Sequence, residues 1–119
     1  MIRITTPLNK TVINTLKAGD EVLLSGIIYT ARDQAHKRLA DLLEKGKPLP
    51  VDLAGQVIYY CGPTATPPGR VIGSCGPTTS RRMDAFTPQL LEHGLAGMIG
   101  KGRREPIVYE AIKKHGAVY

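Results

Sequence analysis

The chain has 119 residues, 42% of them apolar, with 16 lysines and arginines against 10 acidic residues for a formal net charge of +6, a length and composition that suit one domain with a modest core. No run of about 18 apolar residues and no charged-then-apolar leader is present, which argues against a membrane span or secretory signal and makes a cytoplasmic location the default expectation. Five tyrosines, one phenylalanine and no tryptophan offer little stacking surface, and the positive charges are scattered, so a cleft that attracts small anions is a better use of the excess charge than a nucleic-acid partner.

Ile2 to Thr6 reads as a short strand closed by Pro7. Glu21 to Tyr29, rich in Val, Leu and Ile, reads as a longer strand after the turn Lys17-Ala18-Gly19-Asp20. A helix is predicted from Thr30, whose hydroxyl is placed to cap it with Asp33 in capping-box position. Ala31, Ala35, Leu39, Leu42 and Leu43 fall at helical spacing, and Gly46 stops the helix before Pro48. Arg32 then lies in the first turn, where the helix dipole disfavours a cation, so a bound anion would account for it. Asp33 is read as a cap. His36, one turn after Arg32 on the same face, is read as structural, though near enough to neighbour a site.

Val57 to Tyr60 reads as a strand ending in Cys61-Gly62-Pro63-Thr64, and Val71 to Ser74 as a strand ending in Cys75-Gly76-Pro77-Thr78. The repeated CGPT words are expected to form two turns at one sheet edge, joined by Pro67-Pro68-Gly69. Cys61 and Cys75 lack any CxxC or Cys/His companion, so they read as two reduced thiols and no metal site is expected from this chain alone. Cys75 borders the more telling turn, Gly76-Pro77-Thr78-Thr79-Ser80. Its glycine and proline fix the backbone, three hydroxyls follow in a row, and N–H groups of a following helix would add partial positive charge. Arg81 and Arg82 then present planar forks that fit carboxylates. Asp84 is placed either to fix an arginine by a salt bridge or to sit as an ordinary helix N-terminal carboxylate.

Thr87 is a predicted N-cap, with Pro88 at the first position and Gly94 as the stop of a short helix. Ala96 to Ile99 reads as a strand. Lys101, between Gly100 and Gly102, has close backbone approach and reach toward a ligand, whereas Arg103, Arg104, Lys113 and Lys114 read as a solvated face. Glu105 to His115 is predicted helical, with Ile107, Val108, Ala111 and Ile112 on one face and Gly116 as its stop. Ala117-Val118-Tyr119 reads as the first residues of a strand, so the chain is expected to be incomplete at its C-terminus, with apolar faces of Glu21–Tyr29 and of the last helix left uncovered. The strand and helix patterns suggest an α/β class, with α+β as the alternative, built from a mixed sheet and packed helices; strands do not alternate strictly with helices, which argues against a pure doubly wound sheet.

The words GPTTS and RMD, the downstream GMIGKG and the upstream YTARDQAHKR together resemble the beta subunit of class I fumarate hydratase and of L(+)-tartrate dehydratase, from about Leu23 onward. The resemblance narrows the fold to a swivelling β/β/α domain, and the family usually has a small residue at the position of Arg81. It implies an iron-sulfur hydro-lyase whose 4Fe-4S cluster is carried by a partner alpha subunit, in a hetero-oligomer that acts on a small dicarboxylate. It also implies that Thr78 is the catalytic base and that Arg32, Arg82 and Lys101 bind substrate carboxylates, with Thr79, His36 and Asp84 as site neighbours. From the residues alone Thr78 reads first as a turn hydroxyl that caps the following backbone, and a free hydroxyl serves as a base only if cations or helix-end N–H groups stabilise its alkoxide. Fumarate and tartrate remain open as substrates, as does a non-catalytic module of the same fold that binds an anion or a partner.

Overall fold

In the computed structural model, which describes all of residues 1–119, five short strands form two parallel sheets with helices packed on them, an α/β arrangement. Strand β1 (Ile2–Thr5) pairs with β2 (Val22–Ser25), and helix α1 (Lys10–Asn14) lies in the connection between them. In the second sheet β3 (Tyr29–Thr30), β4 (Val57–Tyr59) and β5 (Gly97–Ile99) lie side by side in that order. Helix α2 (Asp33–Glu44) connects β3 to β4, α3 (Thr87–Glu92) precedes β5, and α4 (Pro106–His115) follows it. No helix is long and apolar enough to cross a membrane.

The predicted strand Glu21–Tyr29 is in fact two, one in each sheet. Gly26 makes the break: it has φ +102°, and a Cβ there would come within 2.3 Å of Thr6 Oγ1. The Thr6 hydroxyl donates to Ile27 O at 2.7 Å, so the chain is held as it leaves one sheet for the other. Helix α1 was not foreseen; Asn9 starts it by accepting from Val12 N at 2.9 Å. Helix α2 also begins later than expected. Thr30 is held in β3 opposite Tyr59, and Ala31 N–H donates to Tyr59 O, so Arg32 becomes the N-cap residue, with no side-chain cap. A strand residue with its backbone committed to a ladder cannot also start a helix.

The main core gathers Leu53, Ile58, Tyr60, Met83, Leu90, Leu91 and Met98 between the second sheet and its helices. A smaller cluster of Ile4, Leu8, Ile13, Val57 and Ala96 joins the two sheets. Thr87 lies inside α3 rather than capping it; Phe86 is the N-cap, and the Thr87 hydroxyl donates to Met83 O at 2.8 Å. Gly116 ends α4 in the left-handed conformation at φ 63°. Beyond it Val118 pairs with Gly97 in a parallel bridge, as the strand-like ending suggested. Val22 and Leu24 of β2 and Tyr109 and Ile112 of α4 line an open apolar groove of about 690 Å³.

Arg104 departs most from its predicted place on a solvated face. It is 4% exposed. Its Nε donates to Asp84 Oδ1 at 2.7 Å, Nη2 donates to Tyr60 Oη and to Thr87 Oγ1, each at 3.0 Å, and the guanidinium lies between the rings of Tyr60 and Tyr119. Asp84 Oδ2 accepts from Glu105 N at 2.8 Å. Asp84 therefore fixes Arg104, not Arg82, and its carboxylate ties the segment before α3 to the start of α4.

Val71–Ser74 forms no strand, because its apolar run finds no sheet to pair with. Instead residues 60–78 fold back on themselves as an arm. Thr78 N donates to Tyr60 O at 2.7 Å, Thr64 N to Ser74 O at 2.9 Å, and Ser74 N to Thr64 Oγ1 at 2.8 Å. Gly73 passes so near that a Cβ would lie 2.6 Å from Ala65 O. At the tip Arg70 N donates to Pro67 O at 3.2 Å and Gly69 has φ +75°.

Candidate active site

Because β3, β4 and β5 are parallel, their carboxyl ends meet at one edge, the usual place for ligands in open α/β sheets. Arg32 follows the end of β3, Cys61 and Gly62 follow β4, and Lys101 follows β5. The GPTTS turn is drawn into this edge by backbone bonds: Thr78 N reaches Tyr60 O, Ser80 N donates to Lys101 O at 3.0 Å, and Thr79 pairs with Lys101 in a parallel bridge. Thr78 and Thr79 thus sit between the ends of β4 and β5. Ser80 is fully buried, and a Cβ on Gly100 would come within 2.1 Å of its Oγ, so glycine is required there. The Tyr119 hydroxyl lies 2.7 Å from both Ser80 Oγ and Gly102 O.

The helix expected after the turn is only a 3-10 turn, Ser80–Met83, and Thr79 at its start makes no side-chain cap. With the N–H groups of Thr78 and Ser80 committed to Tyr60 O and Lys101 O, the positive charge at this edge comes from the side-chain cations. The Arg32 guanidinium lies flat on Gly62: a Cβ there would come within 2.4 Å of its Cζ. Glycine in the first CGPT word is therefore the platform for a site arginine, a role its spacing alone did not reveal.

Arg82 donates to Asp33 at 2.6 Å and ties the 3-10 turn to the first turn of α2. Asp33 is consequently an arginine partner and not a helix cap. That hydrogen bond from Arg82 holds its carboxyl below the usual value of 3.8. Arg81 is engaged by Glu105 at 2.6 Å, which gives the extra arginine a partner on the approach to α4. Neither Arg32 nor Lys101 joins an ion pair with any acidic side chain of the chain.

His36 is buried beneath this edge, its Nδ1 2.7 Å from Arg32 O and its ring edge-on to Tyr60. Its Nε2 has no partner. Burial holds its pKa below the usual 6.5, so the ring is neutral at pH 7 and Nδ1–H donates to the Arg32 carbonyl. Cys61 is buried and Cys75 half-buried, both free; burial, aided by the neighbouring Cys75 thiol, pushes Cys61 up to about 11.

The structure thus gathers Arg32, Thr78, Thr79, Arg82 and Lys101 at one edge, sets His36 behind Arg32, and places Asp84 in the core. Neither of the two main grooves, about 690 Å³ and about 320 Å³, is lined by Arg32, Thr78, Arg82 or Lys101. No hydrogen bond within the chain engages the Thr78 hydroxyl. Three cations and a hydroxyl on a solvent-open edge suit a small molecule with two carboxylates.

The sequence model of the family described as "Fumarase C-terminus" matches residues 1–119. The chain is 41% identical over 102 residues to "Fumarate hydratase 2" of Leishmania major, a match covering 85% of this chain and 18% of that protein. It is 44% identical over 97 residues to "Fumarate hydratase class I, anaerobic" of Escherichia coli, covering 81% and 18%. To "L(+)-tartrate dehydratase subunit beta" of Escherichia coli it is 34% identical over 119 residues, covering 98% of this chain and 58% of that one. The chain therefore spans less than a fifth of these two fumarate hydratases and a little over half of the tartrate dehydratase subunit. On a match along its whole length, and on relatives that are all hydro-lyases by name, the chain belongs to the Fumarase C-terminus family.

Proposed function

We propose that this chain is the beta-type half of a hydro-lyase active site that interconverts fumarate and malate, completed by an alpha-type partner. The observation that supports it is the convergence of Arg32, Thr78, Arg82 and Lys101 at the carboxyl edge of β3, β4 and β5. In this reading Arg32, Arg82 and Lys101 clamp the two carboxylates, with bidentate forks supplied by the arginines and a reaching point charge by the lysine. Substrate binding adds a carboxylate beside Arg82 without requiring Asp33 to leave, because a guanidinium has five N–H donors.

Thr78 takes the proton from the carbon next to the hydroxyl-bearing carbon of malate. Its alkoxide is stabilised by the cations of the same edge, which is the condition under which a hydroxyl serves as a base. A 4Fe-4S cluster does not fit the side chains of this chain: it has two cysteines, one of them buried with a thiol raised to about 11, and no three His, Cys, Asp or Glu side chains converge. The cluster belongs, in this reading, to the alpha-type partner. The match to a tartrate dehydratase subunit over 98% of the chain favours tartrate as the second substrate to try, since the same clamp fits either four-carbon dicarboxylate.

In the assembled enzyme, Arg82→Ala or Lys101→Ala is expected to lower kcat/KM by about 2 to 5 kcal/mol of lost stabilisation, the usual cost of truncating one partner of a buried charged pair. Arg103→Ala, exposed and outside the edge, should cost far less. Steady-state kinetics on malate and on tartrate check this. Equal and small effects for Arg82→Ala and Arg103→Ala would remove Arg82 from the clamp.

A further inference from the structure

We infer that the arm formed by residues 62–77 is a docking element whose apolar tip, Val71 and Ile72, seats in an apolar pocket of the polypeptide that completes the active site. This rests on the half-site reading above. Val71 is 101% exposed and Ile72 57%, and two adjacent β-branched apolar side chains held out in water are costly to leave unused. The arm is not a loose loop. Its two sides are bonded between Thr64 and Ser74, its root is closed by the bond from Thr78 N to Tyr60 O, and its tip is fixed by the Pro67–Arg70 turn with Pro68 and Gly69 between. An element ordered before it binds loses little entropy on binding, which is how a small apolar tip becomes an effective anchor.

The choice of occupant follows from where the arm is rooted. One root carries Gly62, the platform under Arg32, and the other carries Thr78. Any polypeptide that closes this edge over a substrate must lie against the arm. The matched relatives extend well beyond the matched region, and one is by name a subunit, so such a polypeptide surface is to be expected next to it. The same contact would hold the GPTTS turn in position, coupling assembly to the geometry of Thr78.

The test uses the assembled complex of this chain with its cluster-bearing alpha-type chain. Trypsin should cut after Arg70, at the exposed tip, much more slowly in the complex than in the dissociated chain. Val71→Asp with Ile72→Asp should weaken assembly about a hundredfold or more by sedimentation, as burying two carboxylates in an apolar pocket would require. Ile107→Asp, on α4 and 64% exposed, should leave assembly unchanged. Because Val71 and Ile72 belong to neither core cluster, the double variant should keep the wild-type circular dichroism. Wild-type assembly by the double variant, or unprotected Arg70 in the complex, overturns the docking role while leaving the half-site reading intact. Loss of self-association alone, with alpha-type assembly unchanged, also overturns it. Failure of the wild-type chain to form the complex at all removes both.

Discussion

Replacing Arg104 by leucine is expected to lower the unfolding free energy by about 3 to 5 kcal/mol, because it leaves the Asp84 carboxylate buried without its counter-charge. Asp84 and Arg104 have side chains 6% and 0% exposed, and their contact is 2.7 Å. The substitution also removes the Arg104 donor from Tyr60 Oη and from Thr87 Oγ1, both in the core, and lost buried hydrogen bonds add to the cost. Against a total stability of about 5 to 15 kcal/mol for a domain, such a loss is decisive. Urea unfolding checks it, with the midpoint shift multiplied by an unchanged slope. Arg103→Leu, next in sequence but exposed, should shift the midpoint by little. Similar small shifts for the two would mean that the buried network does not hold these elements together.

Thr78→Ala in the assembled enzyme should lower kcat by about 10²-fold or more while changing KM comparatively little, since a general base acts in the transition state and contributes little to ground-state binding. The backbone around it should survive, because Thr78 is tied in through its N–H to Tyr60 O and not through its hydroxyl. Thr79→Ala is the control for damage to the turn: Thr79 pairs with Lys101 through the backbone and caps nothing with its side chain. Near-normal turnover by Thr78→Ala would demote the hydroxyl and send the search for the base to the partner.

Much of the second sheet was legible in the sequence. β4, β5 and α4 carry their own punctuation in Tyr60-Cys61-Gly62-Pro63, Gly100 and Gly116, and the motif words GPTTS, RDQAH and GMIGKG mark the residues that the parallel strands bring to one edge. Four of the failures share a cause: they turn on partners remote in sequence. Glu21–Tyr29 reads as one strand because nothing local announces that Thr6 will pack on Gly26 and split it. Val71–Ser74 reads as a strand because its composition is right, yet an apolar run becomes a strand only where a ladder partner waits. Arg104 reads as solvated because charge is mostly exposed, and only the fold brings Asp84, Tyr60 and Thr87 around it. Asp33 reads as a cap because Arg82, its partner 49 residues away, is invisible to helix-start rules.

Whether this chain is one half of a hydro-lyase site is tested most directly by anaerobic reconstitution. The purified chain, treated with iron and sulfide, is assayed for malate dehydration by the absorbance of fumarate, first alone and then with the alpha-type chain. The expected result is no turnover and no stoichiometric cluster for the chain alone, with turnover on addition of the partner. A stoichiometric cluster with turnover by this chain alone would contradict the half-site role.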